Sequence, residues 1–235
     1  MTAGEQLHTA LERFFALRQH GDDARFAARL ARLQHWQTMR LRASHQDLLT
    51  RPGAEAGMDF LFTEVYGGRD LRPVAQEIRR ALPKALRLLP DRVMATSASA
   101  LEAAILTQEL DEHLVEVLDA RLDEGLCADS YAEAYRRQQQ EAARQRQLAL
   151  VGELGSHIDR YVRSRMIQTT FRMVRRPAHA AGFASLYDFL DRGFAAMRPL
   201  PSVADLLDEL AAREQAIMAR LLAGHPQPFP ELAHG

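Results

Sequence analysis

The stretch YAEAYRRQQQEAARQRQLALVGELGSHIDRYVRSRMIQTTFRM, residues 131–173, carries a helical pattern without interruption. The pattern is too long for an average globular helix. Gly152 and Gly155 have two interpretations: they break this helix, or they let another helix approach closely. The sequence therefore predicts one long helix in the second half of the chain. Its apolar face comprises Leu148, Val151, Leu154 and Ile158.

The composition extends this prediction to the whole chain. Hydrophobic residues make up 47% and charged residues 26% of the 235 residues, as in an ordinary globular protein. Strong helix formers dominate, and aromatic residues account for only 7%. We predict an all-α fold, a single multi-helix bundle of about eight helices over residues 1–223. A subdivision near residues 125–130 is an alternative, and residues 224–235 are predicted to form a flexible C-terminal tail.

Charge and cysteine content limit the classes of partner and site. The 30 basic and 31 acidic residues give a net charge of −1, which argues against a nucleic-acid partner. The single cysteine, Cys127, excludes an internal disulfide and a cysteine-based zinc cluster. The N-terminal segment lacks a signal-peptide pattern, and no apolar run approaches the ~20 residues that span a bilayer. We therefore expect a cytoplasmic protein without a membrane partner.

The segment FLFTEVYGGRD, residues 60–70, reads as a short apolar helix that ends at Gly67-Gly68 and carries one carboxylate, Glu64. Its Phe60, Glu64 and Tyr66 fit the FFLEELY motif, and the chain resembles the bacterial protein family known by that motif. Thr63 departs from it, because it replaces one of two adjacent acids. The resemblance implies an uncharacterised helical bacterial protein and no particular reaction. Further positions that carry it are Trp36-Gln37, Arg40-Leu41, Asp47-Leu48-Leu49, Gln147–Leu150, Pro177, Ala181-Gly182, Phe189-Leu190 and Gly193-Phe194.

Glu64 is the first candidate for a functional carboxylate. Apolar residues surround it on the helical wheel, so its side chain is expected to be at least partly buried. A buried carboxylate needs a partner or a proton. Two interpretations remain open: a ligand-binding acid or general base in a pocket, and a structural ion pair between helices. Candidate partners on the preceding helix are Arg40, Arg42 and His45.

The second and third helices predict a binding site between them. If they pack as an antiparallel hairpin, Trp36, Arg40, Glu64 and Tyr66 face each other. A lone tryptophan is commonly a core residue whose indole N–H has a partner, so Trp36 has a structural interpretation as well.

Two Glu/His pairs at i, i+4 spacing offer a different site. Glu109 with His113, and Glu153 with His157, could give two carboxylates and two imidazoles to a di-iron or manganese centre. Di-iron bundles use Glu-x-x-His at i, i+3 spacing, and each pair lies on or beside a polar face. A metal-dependent, oxidase-like enzyme is therefore the alternative function.

The leading hypothesis is a non-enzymatic module that binds an unknown protein or small-molecule ligand without a cofactor. It places the ligand in the groove between the second and third helices. The sequence leaves the ligand, the partner and a homo-oligomeric state open.

Overall fold

The computed structural model describes most of the chain. Residues 68–70 of the FLFTEVYGGRD segment and residues 230–235 of the predicted tail lie outside the described residues. The described ranges are 2–17, 23–67, 71–88 and 91–229, without the side chains of residues 84–88.

The described part of the chain contains thirteen α-helices, one π-helical turn and short loops, and no strand. The all-α prediction is confirmed. In chain order the elements are α1 (Ala3–Leu17), α2 (Ala24–Ser44), α3 (Gln46–Leu49), α4 (Glu55–Phe60), the π-helical turn (Leu61–Val65), α5 (Arg72–Leu88), α6 (Asp91–Leu118), α7 (Arg121–Glu124), α8 (Ala128–Arg137), α9 (Glu141–Arg163), α10 (Arg165–Met173), α11 (Arg175–Ala180), α12 (Ala184–Met197) and α13 (Val203–Leu222).

The predicted long helix of the second half is divided into α8, α9 and α10, and the described residues form thirteen α-helices where about eight were predicted. The first break follows α8, where Gln139 has a positive φ of 52°. The second break is at Ser164, which has an extended backbone and caps α10 through its hydroxyl. Neither break lies at a glycine or a proline, the residues that usually mark helix ends in a sequence.

Gly152 and Gly155 lie within α9 and face α13. A Cβ atom at position 155 would lie 3.0 Å from Cβ of Leu207 and 3.4 Å from Cα of Ala204. The second interpretation is therefore confirmed for Gly155, where α13 approaches α9 closely, whereas a Cβ at Gly152 would meet only Oδ1 of Asp208. This contact brings two helices that are distant in sequence side by side.

Three groups of buried side chains form the interior. One joins α2, α6, α8 and α13, and includes Leu33, Leu114, Tyr131 and Met218. A second lies between α13 and the segment from α2 to the π-helical turn. The third lies between α1, α5 and α6. The first group contains residues from both sides of position 125, so the two halves of the chain pack against each other in this group.

Part of the segment predicted to form a flexible tail, residues 224–235, packs against the bundle at Phe229. Phe229 is 2% exposed, and its ring centroid lies 6.0 Å from those of Trp36 and Tyr131. The guanidinium of Arg40 lies over the same ring at 5.4 Å. Burial of this aromatic ring fixes residues beyond α13 against the bundle.

Among the helices that the structure describes, none combines the length and apolar character needed to cross a bilayer.

Candidate functional site

A cavity of about 60 Å³ lies between α2, α6, α8, α9 and α13, beside the end of the π-helical turn. Its walls differ in character. The apolar part includes Leu41, Val151, Leu210, Ile217 and Met218. The polar part includes Arg40, Tyr66, Asp111, Tyr135, Arg144 and Glu214.

Arg40 and Glu214 form a buried ion pair at this cavity. Arg40 Nη1 donates to Glu214 Oε1, and His45 Nε2 lies 2.7 Å from the same oxygen. Burial alone would raise the pKa of Glu214, but Arg40 and His45 outweigh it and lower the pKa to about 2. The pKa of Arg40 is raised because Glu214 outweighs the opposing effect of burial. Both side chains are therefore charged at neutral pH.

Asp111 is a second buried carboxylate in the wall, and it is 2% exposed. Gln37 Nε2 donates to one oxygen at 3.1 Å and Gln34 Nε2 to the other at 3.3 Å. Burial raises the pKa of Asp111 to about 6, although Arg144 and the two amides act in the opposite direction. Asp111 therefore changes charge close to neutral pH, which is common for groups at functional sites.

Arg144 enters the cavity wall from the start of α9. Its Nη2 donates to Gln138 Oε1 at 3.1 Å, and its guanidinium lies 4.7 Å from the ring centroid of Tyr135. Gln138 in turn donates to the backbone oxygen of Leu110 at 2.6 Å. The break between α8 and α9 thus places Arg144 against α6 and α8.

Two hydrogen-bond donors that belong to residues lining the cavity have no partner among the described residues. They are the Nε atoms of Arg40 and Arg144, which are buried in side chains that are each 8% exposed. Buried donors are nearly always satisfied in proteins, and a bound molecule or ordered water is the usual partner when protein atoms are not. The two arginines that line the cavity therefore each carry a buried donor without an acceptor among the described residues.

The structure separates the four residues of the predicted site. Arg40 and Tyr66 line the cavity, and burial raises the pKa of Tyr66. Trp36 lies behind the wall, with its ring centroid 4.5 Å from that of Tyr131. Glu64 is outside the cavity wall and forms an ion pair with Arg192 of α12 at 3.2 Å.

The candidate partners of Glu64 have other contacts. Arg40 and His45 contact Glu214, whereas Arg42 forms an ion pair with Asp59. The carboxylate that enters the groove beside α2 is therefore Glu214, which comes from α13.

The four residues of the metal alternative lie in different surroundings. Glu109 pairs with Arg13 and Glu153 with Arg146, while His157 Nδ1 lies 3.2 Å from the hydroxyl of Thr96. In the described ranges no three His, Cys, Asp or Glu side chains come close enough to hold a metal ion. Glu109, His113, Glu153 and His157 consequently form no such cluster.

Asp111, Arg144 and Glu214 were missed in the sequence, although a local signal exists for two of them. Glu214 follows Leu210 by four residues and precedes Ile217 and Met218 by three and four, so it lies on the apolar face of α13. Asp111 is likewise next to Leu110 and three residues before Leu114. A charge at such a position indicates either a buried pair or a site.

Comparison with known proteins gives a family and no activity. A family model described as a domain of unknown function (DUF8198) matches residues 16–228, which include every residue of the cavity wall. No curated protein and no solved structure matches the chain.

Proposed function

We propose that this chain, which belongs to the DUF8198 family of unknown function, binds a small polar molecule in the cavity between α2, α6, α8, α9 and α13. The observation that carries the proposal is the pair of buried arginines, Arg40 and Arg144, whose Nε donors lack partners among the described residues. Burying such groups costs free energy unless an acceptor is present. A bound molecule supplies that acceptor.

The size of the cavity limits the ligand. One water molecule, which is about the size of one non-hydrogen atom of a ligand, needs ~10–15 Å³ of cavity volume. A cavity of about 60 Å³ therefore accommodates roughly four to six non-hydrogen atoms. Its combination of aliphatic walls and a few polar groups is typical of ligand pockets in bundle cores. This supports a small molecule as ligand, in place of a peptide or protein segment.

The proposal changes the site that the sequence predicted. Arg40 and Tyr66 remain in it, and α13 supplies the opposing wall. The metal-dependent alternative has no support from the positions of Glu109, His113, Glu153 and His157. The relationship to the FFLEELY-motif proteins, the bacterial origin and the cytoplasmic location remain predictions from the sequence.

Methyl NMR of methionine side chains provides a direct test, because Met218 lines the cavity while Met39, Met166 and Met173 are exposed. Formate, acetate, acetamide, ethanol, ethylamine and glycerol are each added at about 0.1 M, since such small probes bind weakly. At least one probe is expected to shift the Met218 resonance and to leave the three exposed methyl resonances unchanged.

Two variants of α13 separate the cavity from the surface. Ala211 lines the cavity and Ala212 is exposed. Ala211→Leu fills the cavity and is expected to abolish the Met218 shift, whereas Ala212→Leu retains it. The proposed function is wrong if no probe shifts the Met218 methyl resonance of the parent protein. It is also wrong if the probes shift this resonance in Ala211→Leu as much as in the parent.

A further inference from the structure

The buried groups at the cavity define the charge that a ligand must carry. Arg40 and Arg144 contribute two positive charges, and Glu214 contributes one negative charge. Burial also raises the pKa of Tyr66 and of Tyr135, so both phenols remain protonated. When Asp111 is ionised, the charges of these four side chains sum to zero. When Asp111 is protonated, one positive charge remains, and a ligand with a single negative charge balances it.

The donors at the cavity define the atoms that a ligand must present. Among the described residues, the buried side-chain atoms without partners on residues lining the cavity are both guanidinium Nε–H groups, which donate and cannot accept. Arg40 and Arg144 line the same cavity, and the Arg144 guanidinium lies 4.7 Å from the ring centroid of Tyr135 in that wall. The two guanidinium groups can therefore contribute to the binding of one ligand. Arginine recognises carboxylate oxygens particularly well.

The remaining wall defines the rest of the ligand. Val151, Leu210, Ile217 and Met218 offer only aliphatic or thioether surface. A short alkyl chain is suited to this surface, and a cavity for roughly four to six non-hydrogen atoms accepts acetate, propionate or butyrate.

We propose that the ligand of this cavity is a short monocarboxylate, whose oxygens accept hydrogen bonds from Arg40 and Arg144 and whose binding is accompanied by protonation of Asp111. The proposal rests on the proposed function. A carboxylate that enters next to Asp111 brings a like charge into a buried site, which favours the neutral acid. Binding thus takes up a proton whenever Asp111 is ionised in the free protein.

The pH range of this coupling follows from the surroundings of Asp111. Its pKa of about 6 in the free protein means that it is mostly ionised above pH 7 and mostly neutral below pH 5. Proton uptake is therefore small at pH 5 and approaches one proton per ligand above pH 7. The charged or titratable groups that face Asp111 or share its cavity are Glu112 on α6, Arg40 on α2, Tyr131 and Tyr135 on α8, Arg144 on α9, Glu214 on α13, and Tyr66.

The experiment compares acetate with its neutral isostere acetamide, using the Met218 methyl shift and calorimetry on the full chain. Acetate is expected to bind at least tenfold more tightly than acetamide at pH 6. Its affinity should fall about fivefold between pH 6 and pH 7 and about tenfold between pH 7 and pH 8. Titrations in PIPES and in Tris, which differ in ionisation enthalpy, measure the proton uptake.

Two variants assign the effect to residues. Asp111→Asn mimics the neutral acid, so it is expected to bind acetate with an affinity that does not change between pH 6 and pH 8. Arg144→Gln is expected to lower the affinity at least tenfold. The comparison of acetate with acetamide and the Asp111→Asn variant keep the test decisive if Arg144→Gln does not fold.

The outcomes separate this inference from the proposed function. If acetamide or ethanol binds as tightly as acetate, the inference that the ligand is a carboxylate is wrong, while the proposal that the cavity binds a small molecule stands. Acetate binding with a pH-independent affinity in the parent protein would overturn the role of Asp111. The absence of any Met218 shift with every probe would overturn both proposals.

Discussion

Glu214 and Arg40 show at the residue scale how a buried ion pair is maintained. Each charge loses hydration on burial, and only the attraction between the two, with the hydrogen bond to His45, compensates for that loss. Removing one partner leaves the other charged and unpaired in the core. Such a loss is larger than the loss expected for an exposed ion pair.

Glu214→Gln is therefore expected to lower the free energy of unfolding at pH 7 by about 3–5 kcal/mol. Glu209→Gln on the same helix is the matched control, because Glu209 pairs with Arg51 and Arg213 at the surface, and its loss should cost about 0–1 kcal/mol. Urea unfolding measures both. Similar values for the two variants would contradict the buried pair.

The same pair predicts a dependence on acid. The folded-state pKa of Glu214 is lowered from 4.5 to about 2, so its contribution is complete above pH 4.5 and is lost as the pH falls through this range. The difference in stability between the parent and Glu214→Gln should shrink as the pH falls below 4.5. A difference that stays constant down to pH 3 would show that Glu214 is not an ionised partner of Arg40.

Asp111 predicts the opposite dependence of stability on pH. Its pKa is raised from 3.8 to about 6, so the unfolded chain loses the proton at lower pH than the folded chain does. Stability should fall by about 2–3 kcal/mol between pH 4 and pH 6 relative to Asp111→Asn. Thermal and urea unfolding of the two proteins across this range measure the effect. Parallel stability curves would mean that Asp111 ionises in the folded protein as it does in water.

Helix packing at the element scale depends on Gly155, where α13 meets α9. Gly152 provides a comparison on the same helix, because a Cβ there would meet only the carboxylate oxygen Oδ1 of Asp208, at 2.9 Å, and that side chain can move. Gly152→Ala is expected to gain about 0.5–1 kcal/mol from helix propensity. Gly155→Ala is expected to be about 1 kcal/mol or more less stable than Gly152→Ala, because α13 must shift.

Denaturant unfolding of the two glycine variants tests this difference. Equal stabilities would show that α13 does not approach Gly155 as closely as the structure describes. The comparison also concerns the cavity, because α13 carries Ala211, Glu214 and Met218 in its wall.

Phe229 tests the role of the C-terminal segment. Because its ring is buried between Trp36, Tyr131 and Arg40, Phe229→Ala is expected to lower stability by about 3–5 kcal/mol. The fluorescence of Trp36, the single tryptophan, should change in the same variant. Phe229→Leu, which retains an apolar side chain, should lose much less. An unchanged stability of Phe229→Ala would mean that the segment does not dock.

At the scale of the whole molecule, local patterns predicted the helices better than their breaks and contacts. The all-α class follows from composition and periodicity, which every helix expresses locally. The breaks at Gln139 and Ser164 use residues that are common within helices or loops, so no pattern indicated them. Phe229 lies in a segment rich in proline and polar residues, and its docking depends on a distant aromatic cluster.

The residues of the candidate site also fall into those that local patterns identified and those that only the fold brings together. Arg40 and Tyr66 were found because they lie on neighbouring elements close in sequence. Glu214, Asp111 and Arg144 come from α13, α6 and α9, and only the packing of those helices brings them to one cavity. Glu64 satisfied the local rule for a buried acid as well as Glu214 does, but the tertiary fold places Glu64 beside Arg192. Local patterns therefore identify candidate charges, and the fold decides which of them meet.

A crystal structure of the full chain grown with sodium acetate at pH 6 tests the central claim most directly. The account predicts density for one acetate in the cavity, with its oxygens within hydrogen-bond distance of the guanidinium groups of Arg40 and Arg144. A cavity that contains only ordered water, with both guanidinium groups bonded to that water, would contradict it.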